Sequence, residues 1–298
     1  MHENILGIGF TIDKKDNILE EIEKYLKKDQ RSEVRDKKKR IKSLVIFTPN
    51  PEIVIFAQKN SDFRRIVNSA QIKIPDGFGI SWALKKLHNL AVDRLSGTDL
   101  MLDLVHLSAE EGFTIGLIGG RGKVAVRASK CLRVKNPGVK IIVFPAPEIR
   151  IKNQELRIMN NEKKDREKIL DSCFMILDSS GKRLDNKRYF NNLLEEINKK
   201  KIDILFVALG FPKQEYFISI LNSQFSCLSG KQAILNYKRP LVLMSVGGAF
   251  DYISGEVSRA PVWMRERGLE WLYRLWEEPW RLGRQLKGAE FFLRVFLR

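Results

Sequence analysis

The chain is poor in the side chains that build metal centres and disulfide frameworks. Its three cysteines, Cys131, Cys173 and Cys227, lie far apart and at no paired spacing. That argues against a disulfide scaffold or a zinc site and fits a reducing compartment. The three histidines, His2, His88 and His106, are equally scattered, so no metal cluster is expected. No Asp-x-Asp pair occurs, which weakens any mechanism that holds a divalent metal on a nucleotide diphosphate through that motif. Long apolar runs are missing too. The longest, Ile204 to Phe211, falls far short of the about 20 residues that span a bilayer. The N-terminus carries an early acid, Glu3, and no long apolar stretch, so it does not read as a signal peptide. The expectation is a protein made and kept in the cytoplasm, able to touch a membrane from that side.

Positive charge is what the chain has in excess, with a formal net charge of +17. Such an excess implies an anionic partner: nucleic acid, a phosphate-rich substrate, or an acidic membrane surface. A basic run from Arg31 to Lys42 reads first as a solvated linker and second as a nucleic-acid patch. At 298 residues and 44% hydrophobic, the chain can bury a substantial core as one large or two modest domains.

Short apolar strands alternate with helical stretches and end in suggestive residues. Residues 4–12 read as a strand or arm, and 17–28 as an amphipathic helix. The strand 43–47 ends in Thr48-Pro49-Asn50-Pro51. Asn50 as N-cap with Pro51 at the first helical position is a strong helix start, so Asn50 has a structural reason to be there. Thr48 has less of one. Ile72-Lys73-Ile74 ends in Pro75-Asp76-Gly77, which puts Asp76 at the mouth of a strand-to-helix turn. Asp76 can cap a helix starting at Gly77, or act chemically at the carboxyl edge of a sheet, where ligands bind in open α/β folds. Arg94 precedes a helix that Ser96 or Thr98 can cap. An arginine at such a crevice can hold phosphate through its planar fork of donors.

The strand 113–118 runs into Gly119-Gly120-Arg121-Gly122. Without side chains, Gly119 and Gly120 let a phosphate approach backbone N–H groups at a helix N-terminus. Gly120-x-Gly122-x-x-Ala125 fits a dinucleotide fingerprint loosely, but no acidic residue follows at the expected distance. After a strand at 139–144, residues 148–201 are charged, with one mixed patch at 173–177. They read as a partly helical elaboration. The clearest strand, 202–210, leads to Phe211-Pro212-Lys213-Gln214-Glu215. Glu215 in the first helical turn suits the helix dipole, and Gln214 there can donate to a diphosphate. The strand 241–246 ends in Gly247-Gly248-Ala249-Phe250-Asp251. Strands alternating with helices imply an α/β fold: a Rossmann-like, mostly parallel sheet with helices on both faces.

From Arg259 the composition changes. Trp263, Trp271, Trp276 and Trp280 lie here among many arginines. The stretch reads as two or three helices broken near Gly268 and Pro279. Such amphipathic helices lie in membrane interfaces, with rings at headgroup level and guanidinium groups on phosphates. They can equally form a helical cap packed on the sheet. The expected organisation is a core at 1–258 and a helical appendage at 259–298.

In order and spacing, several motifs together resemble the WecG/TagA/CpsF glycosyltransferases. They are Thr48-x-Asn50, Pro75-Asp76-Gly77, Arg94-x-x-Gly97-Thr98-Asp99 and Gly210-x-Pro212-Lys213-Gln214-Glu215. Gly247-Gly248-x-Phe250-Asp251 and Arg259-Ala260-Pro261 complete the set. The resemblance implies an inverting transferase that needs no metal or other cofactor. Such enzymes move a sugar, best known as N-acetylmannosamine, from a UDP-sugar donor. The acceptor is polyprenyl-diphosphate-linked N-acetylglucosamine at the cytoplasmic membrane face, in teichoic acid, capsule or related polysaccharide synthesis. By motif, Asp76 resembles the catalytic base, and Thr48 and Asn50 line the sugar and acceptor site. Arg94 and Gln214 hold diphosphate or sugar, and Gly247 and Asp251 belong to the substrate-binding set. Arg274, Arg281 and Arg284 match arginines that the family's appendage brings over the site as it docks on the membrane. Family members can form homo-oligomers. Two readings stand beside this one. A nicotinamide-dependent NAD(P) oxidoreductase rests on Gly120 to Ala125. A nucleic-acid binder rests on charge, but its aromatics cluster away from the basic run.

Overall fold

The computed structural model describes residues 2–28, 43–92, 95–151, 174–178, 180–227, 239–279 and 282–298. The basic run 31–42 lies outside them. A hairpin opens the chain: β1 (His2–Ile5) and β2 (Ile8–Thr11) pair antiparallel through Leu6 and Gly7, both at positive φ. Helix α1 (Lys15–Lys27) buries Ile18, Ile22 and Leu26 on one face. β3 (Leu44–Phe47) leads into α2 (Pro51–Lys59) and α3 (Ser61–Ser69), and β4 (Ile72–Lys73) into α4 (Phe78–His88). Then come α5 (Gly97–Glu111), β5 (Thr114–Gly119), α6 (Val124–Lys135) and β6 (Lys140–Phe144). β7 (Glu148–Ile151), β8 (Phe174–Leu177), α7 (Asn186–Lys199), β9 (Ile204–Ala208), α8 (Lys213–Cys227) and β10 (Val242–Ser245) follow. The chain closes on α9 (Ala249–Ile253), α10 (Val262–Glu266), α11 (Glu270–Glu277) and α12 (Leu282–Phe296).

The central sheet has six strands in the order β4-β3-β10-β9-β5-β6. Every neighbouring pair is parallel, as the alternation of strands and helices predicts. Both faces are buried, so the strands are mostly apolar instead of alternating with polar residues. In β9, Leu205 and Val207 join the core cluster that includes α2, α3, α4, α7, α8 and α12. Ile204 and Phe206 join the cluster on the other face, with α1, α5 and α6.

Two regions add detail to the sequence expectation. In the stretch after residue 148 the described residues form two strands and a helix. β7 and β8 form a two-stranded antiparallel sheet, and α7 buries Phe190, Leu194 and Ile197 in the main core. The residues between those strands, 152–173, lie outside the described set. The tail, in turn, is tied to the core at its far end. Phe291 and Val295 of α12 are fully buried, and Phe292 packs on Trp82 of α4 at 5.1 Å between ring centroids. Lys59 of α2 pairs with Glu290 at 2.8 Å. By contrast α11 buries none of its residues, and Trp263, Trp271 and Trp276 are exposed, Trp276 by 85%. No described helix is long and apolar enough to cross a membrane.

Candidate active site

All the parallel strands end at one edge, and the motif residues gather there. After β3 and β4 the main chains stay joined beyond the regular strands. Ile74 N donates to Phe47 O at 2.9 Å, and Asp76 N to Pro49 O at 3.3 Å. This holds Asp76 beside the Thr48-Pro49-Asn50 turn. Asn50 caps α2 as its position predicts, its Oδ1 accepting from Ile53 N at 3.0 Å. Asp76 does not hold the cap position of α4. Gly77 does, at φ +83, and the helix begins at Phe78, one residue later than the sequence suggests. A φ in that region favours glycine, so the turn is built to stop the strand and leave the half-buried Asp76 at the helix mouth.

Thr48 is buried against the start of α5. A Cβ on Gly97 would lie 2.8 Å from Thr48 Cγ2, so the contact needs glycine there. Ser96, not Thr98, caps α5, accepting from Asp99 N at 3.1 Å. Arg259 then grips the same turn. It donates through Nη1 to Asp99 Oδ1 at 2.7 Å and through Nη2 to Asp99 Oδ2 at 2.9 Å, a bidentate pair of the kind arginine geometry favours. Burial alone would raise the Asp99 carboxyl. Hydrogen bonds from Arg259 and Ser96 outweigh it and hold Asp99 below the ordinary carboxylate value. Two motifs 160 residues apart are thereby one structural joint.

At the centre of the edge, Gly120 N donates to Ala208 O at 2.9 Å, so this N–H is engaged by β9. A Cβ on Gly119 would fall 2.3 Å from Ala208 O. These two glycines therefore serve the close approach of β5 and β9, whatever else they contact. Gln214 is buried. Its Nε2 donates to Glu215 Oε1 at 2.9 Å, and its Oε1 accepts from Gly247 N at 3.1 Å. The α8 start and the turn after β10 are joined by that side chain. Glu215 lies in the first turn of α8, as expected, but is buried there at 1% exposure.

The tail reaches this edge through Arg274. Its Nη2 would lie 2.6 Å from a Cβ on Gly248, and Asp251 Oδ2 borders the same space at 3.4 Å. The guanidinium lies 5.0 Å from the centre of the Tyr252 ring, and Nε donates to Glu278 Oε2 at 2.9 Å. Glycine at 248 is what admits the arginine, and a ring face beneath a cation adds attraction. Gly268, between α10 and α11, sits on Phe78, 2.8 Å from where its Cβ would be. Arg274 is thus placed beside the turn after β10. Arg94, Trp280 and Arg281 lie outside the described residues, as does the side chain of Arg284. Sequence reasoning missed the anchoring roles of Glu278 and Tyr252, the Asp99–Arg259 joint and the burial of Glu215.

The strands carrying Asp76, Thr48, Gly247 and Gln214 are sheet neighbours in that order. At about 4.8 Å per strand, the row spans roughly 15 Å. The chain is 28% identical over 251 residues to a protein of Bacillus subtilis (strain 168), covering 84% of this chain and 78% of the relative. That relative is named N-acetylglucosaminyldiphosphoundecaprenol N-acetyl-beta-D-mannosaminyltransferase. Residues 4–172 and 178–298 match the family described as "Glycosyl transferase WecG/TagA/CpsF family", and the chain, a glycosyltransferase, belongs to it.

Proposed function

We propose that the protein transfers N-acetylmannosamine from a UDP-sugar to N-acetylglucosamine carried on a polyprenyl diphosphate. The relative's name supports this acceptor and this sugar. The single observation that carries the site assignment is the joining of Asp76 to the Thr48–Asn50 turn through the Asp76 N–Pro49 O bond. In this reading Asp76 takes the proton of the acceptor hydroxyl. The freed oxygen attacks the anomeric carbon from the face opposite UDP, and the C–O bond to UDP breaks with inversion. Thr48 and Asn50 line the sugar site. Gln214, Gly247 and Arg94 meet the diphosphate, and Arg274, with Arg281 and Arg284, offsets the charge on the departing UDP. Electrostatic stabilisation aimed at that developing charge is the largest single contribution expected of such a site. The lack of an Asp-x-Asp pair supports a reaction without a divalent metal. The exposed Trp263, Trp271 and Trp276 support docking on the inner face of the membrane, where the lipid acceptor resides. The nicotinamide and nucleic-acid readings have no comparable support.

The test is UDP release from UDP-N-acetylmannosamine, with and without a lipid-diphosphate-N-acetylglucosamine analogue. Wild type should release UDP only with acceptor. Asp76→Asn should fold normally and lose about 10²–10⁴-fold in turnover, the range of a general base. An Asp76→Asn enzyme as fast as wild type removes the base from the scheme. Chelator should leave the rate unchanged.

A further inference from the structure

Glu215 is a carboxyl at the strand edge that the scheme above leaves idle. It is fully buried in the first turn of α8. Oε1 accepts from Gln214 Nε2 at 2.9 Å, while Oε2 has no hydrogen-bond partner among the described residues. A carboxamide has two N–H donors and one oxygen. In Gln214 the oxygen takes Gly247 N–H at 3.1 Å, and one N–H goes to Glu215. Flipping the amide would set its oxygen against the carboxyl oxygen and its NH₂ against an N–H. The Gln214 side chain is therefore fixed in one sense, with one N–H left over. That sense is set from outside Gln214, by Glu215 on one side and the Gly247 turn on the other.

We propose that Glu215 is a positioning residue. Its carboxyl locks the Gln214 carboxamide so that the remaining N–H faces the nucleotide sugar, while the oxygen holds the Gly247–Gly248 turn on which Arg274 rests. The inference rests on the reading that Gln214 contacts the donor. One carboxyl would then govern two ligand-facing groups without touching the ligand. Burial fits the role. It pushes the Glu215 carboxyl up to about 7; the Gln214 hydrogen bond works against the rise, and the charge of Glu52 in the first turn of α2 adds to it. A neutral carboxyl tolerates an unpartnered Oε2 far better than a carboxylate does. It also keeps the carbonyl oxygen that Gln214 needs.

The experiment compares Gln214→Ala, Glu215→Met, Glu215→Gln and the Gln214→Ala/Glu215→Met double variant. Each is assayed for acceptor-dependent UDP release and for protection of the fold against heat by UDP. Loss of one such hydrogen bond corresponds to roughly tenfold. Gln214→Ala and Glu215→Met should each lose about tenfold or more in kcat/KM and in UDP affinity. The double variant should lose no more than Gln214→Ala alone, because both changes remove one unit. Glu215→Gln, which keeps a carbonyl oxygen in place, should restore the rate to within about threefold of wild type. If Glu215→Met does not fold, Glu215→Asp carries the test; it draws the carboxyl back from Gln214 and should show the same loss at an unchanged melting temperature. Wild-type rates in Glu215→Met or Glu215→Asp, or losses that multiply in the double variant, overturn the inference alone. Wild-type behaviour of Gln214→Ala overturns the donor-contact reading, and the inference with it.

Discussion

Replacing Phe291 by alanine asks whether the tail is part of the core or merely attached to it. Phe291 is 0% exposed and belongs to the cluster shared by α2, α4 and α12. Its ring meets Phe292 edge-on, 5.8 Å apart at 84°, and Phe292 in turn packs on Trp82. Truncating such a ring leaves a cavity and costs about 3–5 kcal/mol, against a total stability of about 5–15 kcal/mol. For a chain of this size that lowers the melting temperature by roughly 10 °C. The assay is thermal unfolding followed by circular dichroism, with amide exchange read at α2 and α4, the helices that Phe291 covers. Leu293→Ala, on the same helix but 59% exposed, is the control and should fall within about 0.5 kcal/mol of wild type. A Phe291→Ala protein that melts like this control, with α2 and α4 as protected as before, refutes the shared core. The same logic argues against simple deletion of 259–298 as a membrane test, since it would strip Phe291 and Val295 from the interior.

Gly248→Val should leave the melting temperature nearly unchanged. It should lower kcat/KM for the UDP-sugar about tenfold, the scale of one lost charged hydrogen bond, because its Cβ would displace Arg274 Nη2; an unaltered kcat/KM refutes the placement. Glu215→Gln should stabilise the protein at pH 8 but not at pH 5. The folded carboxyl sits at about 7 against an ordinary 4.5, so stability present below 4.5 is lost as pH rises through 7. The loss approaches about 3 kcal/mol above that range, and urea unfolding at the two pH values would show a constant difference if this is wrong. Replacing Trp263, Trp271 and Trp276 together by serine should cut sedimentation with anionic liposomes at least about tenfold without altering the fold. Unchanged sedimentation would place the membrane contact elsewhere.

The sheet was legible because its strands are short apolar runs, buried on both faces, each closed by a turn residue. Thr48, Asp76, Gln214 and Gly247 could be placed at one edge for the same reason: a parallel sheet puts every strand's carboxyl end on one side. What escaped the sequence was pairing over distance. β7 carries charge, β8 is a short apolar run within a stretch of mostly polar residues, and the two partners are separated by more than twenty positions. Glu215 follows Pro-Lys-Gln, a pattern that suits a solvated helix start, and only the packed neighbours reveal its burial. The tail's amphipathic helices fit a lid and an anchor equally well. In the structure Phe291 turns into the core, while the tryptophans of α10 and α11 turn out.

Gly79 lies in the first turn of α4, three residues after Asp76. A Cβ there would stand 2.6 Å from Pro51 Cγ and 3.2 Å from Phe292 Cζ. Pro51 opens α2 directly after Asn50, so both loops of the site and the last helix of the chain meet at one atom's worth of space. The tail is consequently not an exchangeable module. Grafting the last helix of one relative onto the body of another would shift the two loops unless positions 51 and 79 travel with it. Positions 51, 79 and 292 should therefore vary together through the family's history, each limiting the volume the others can take.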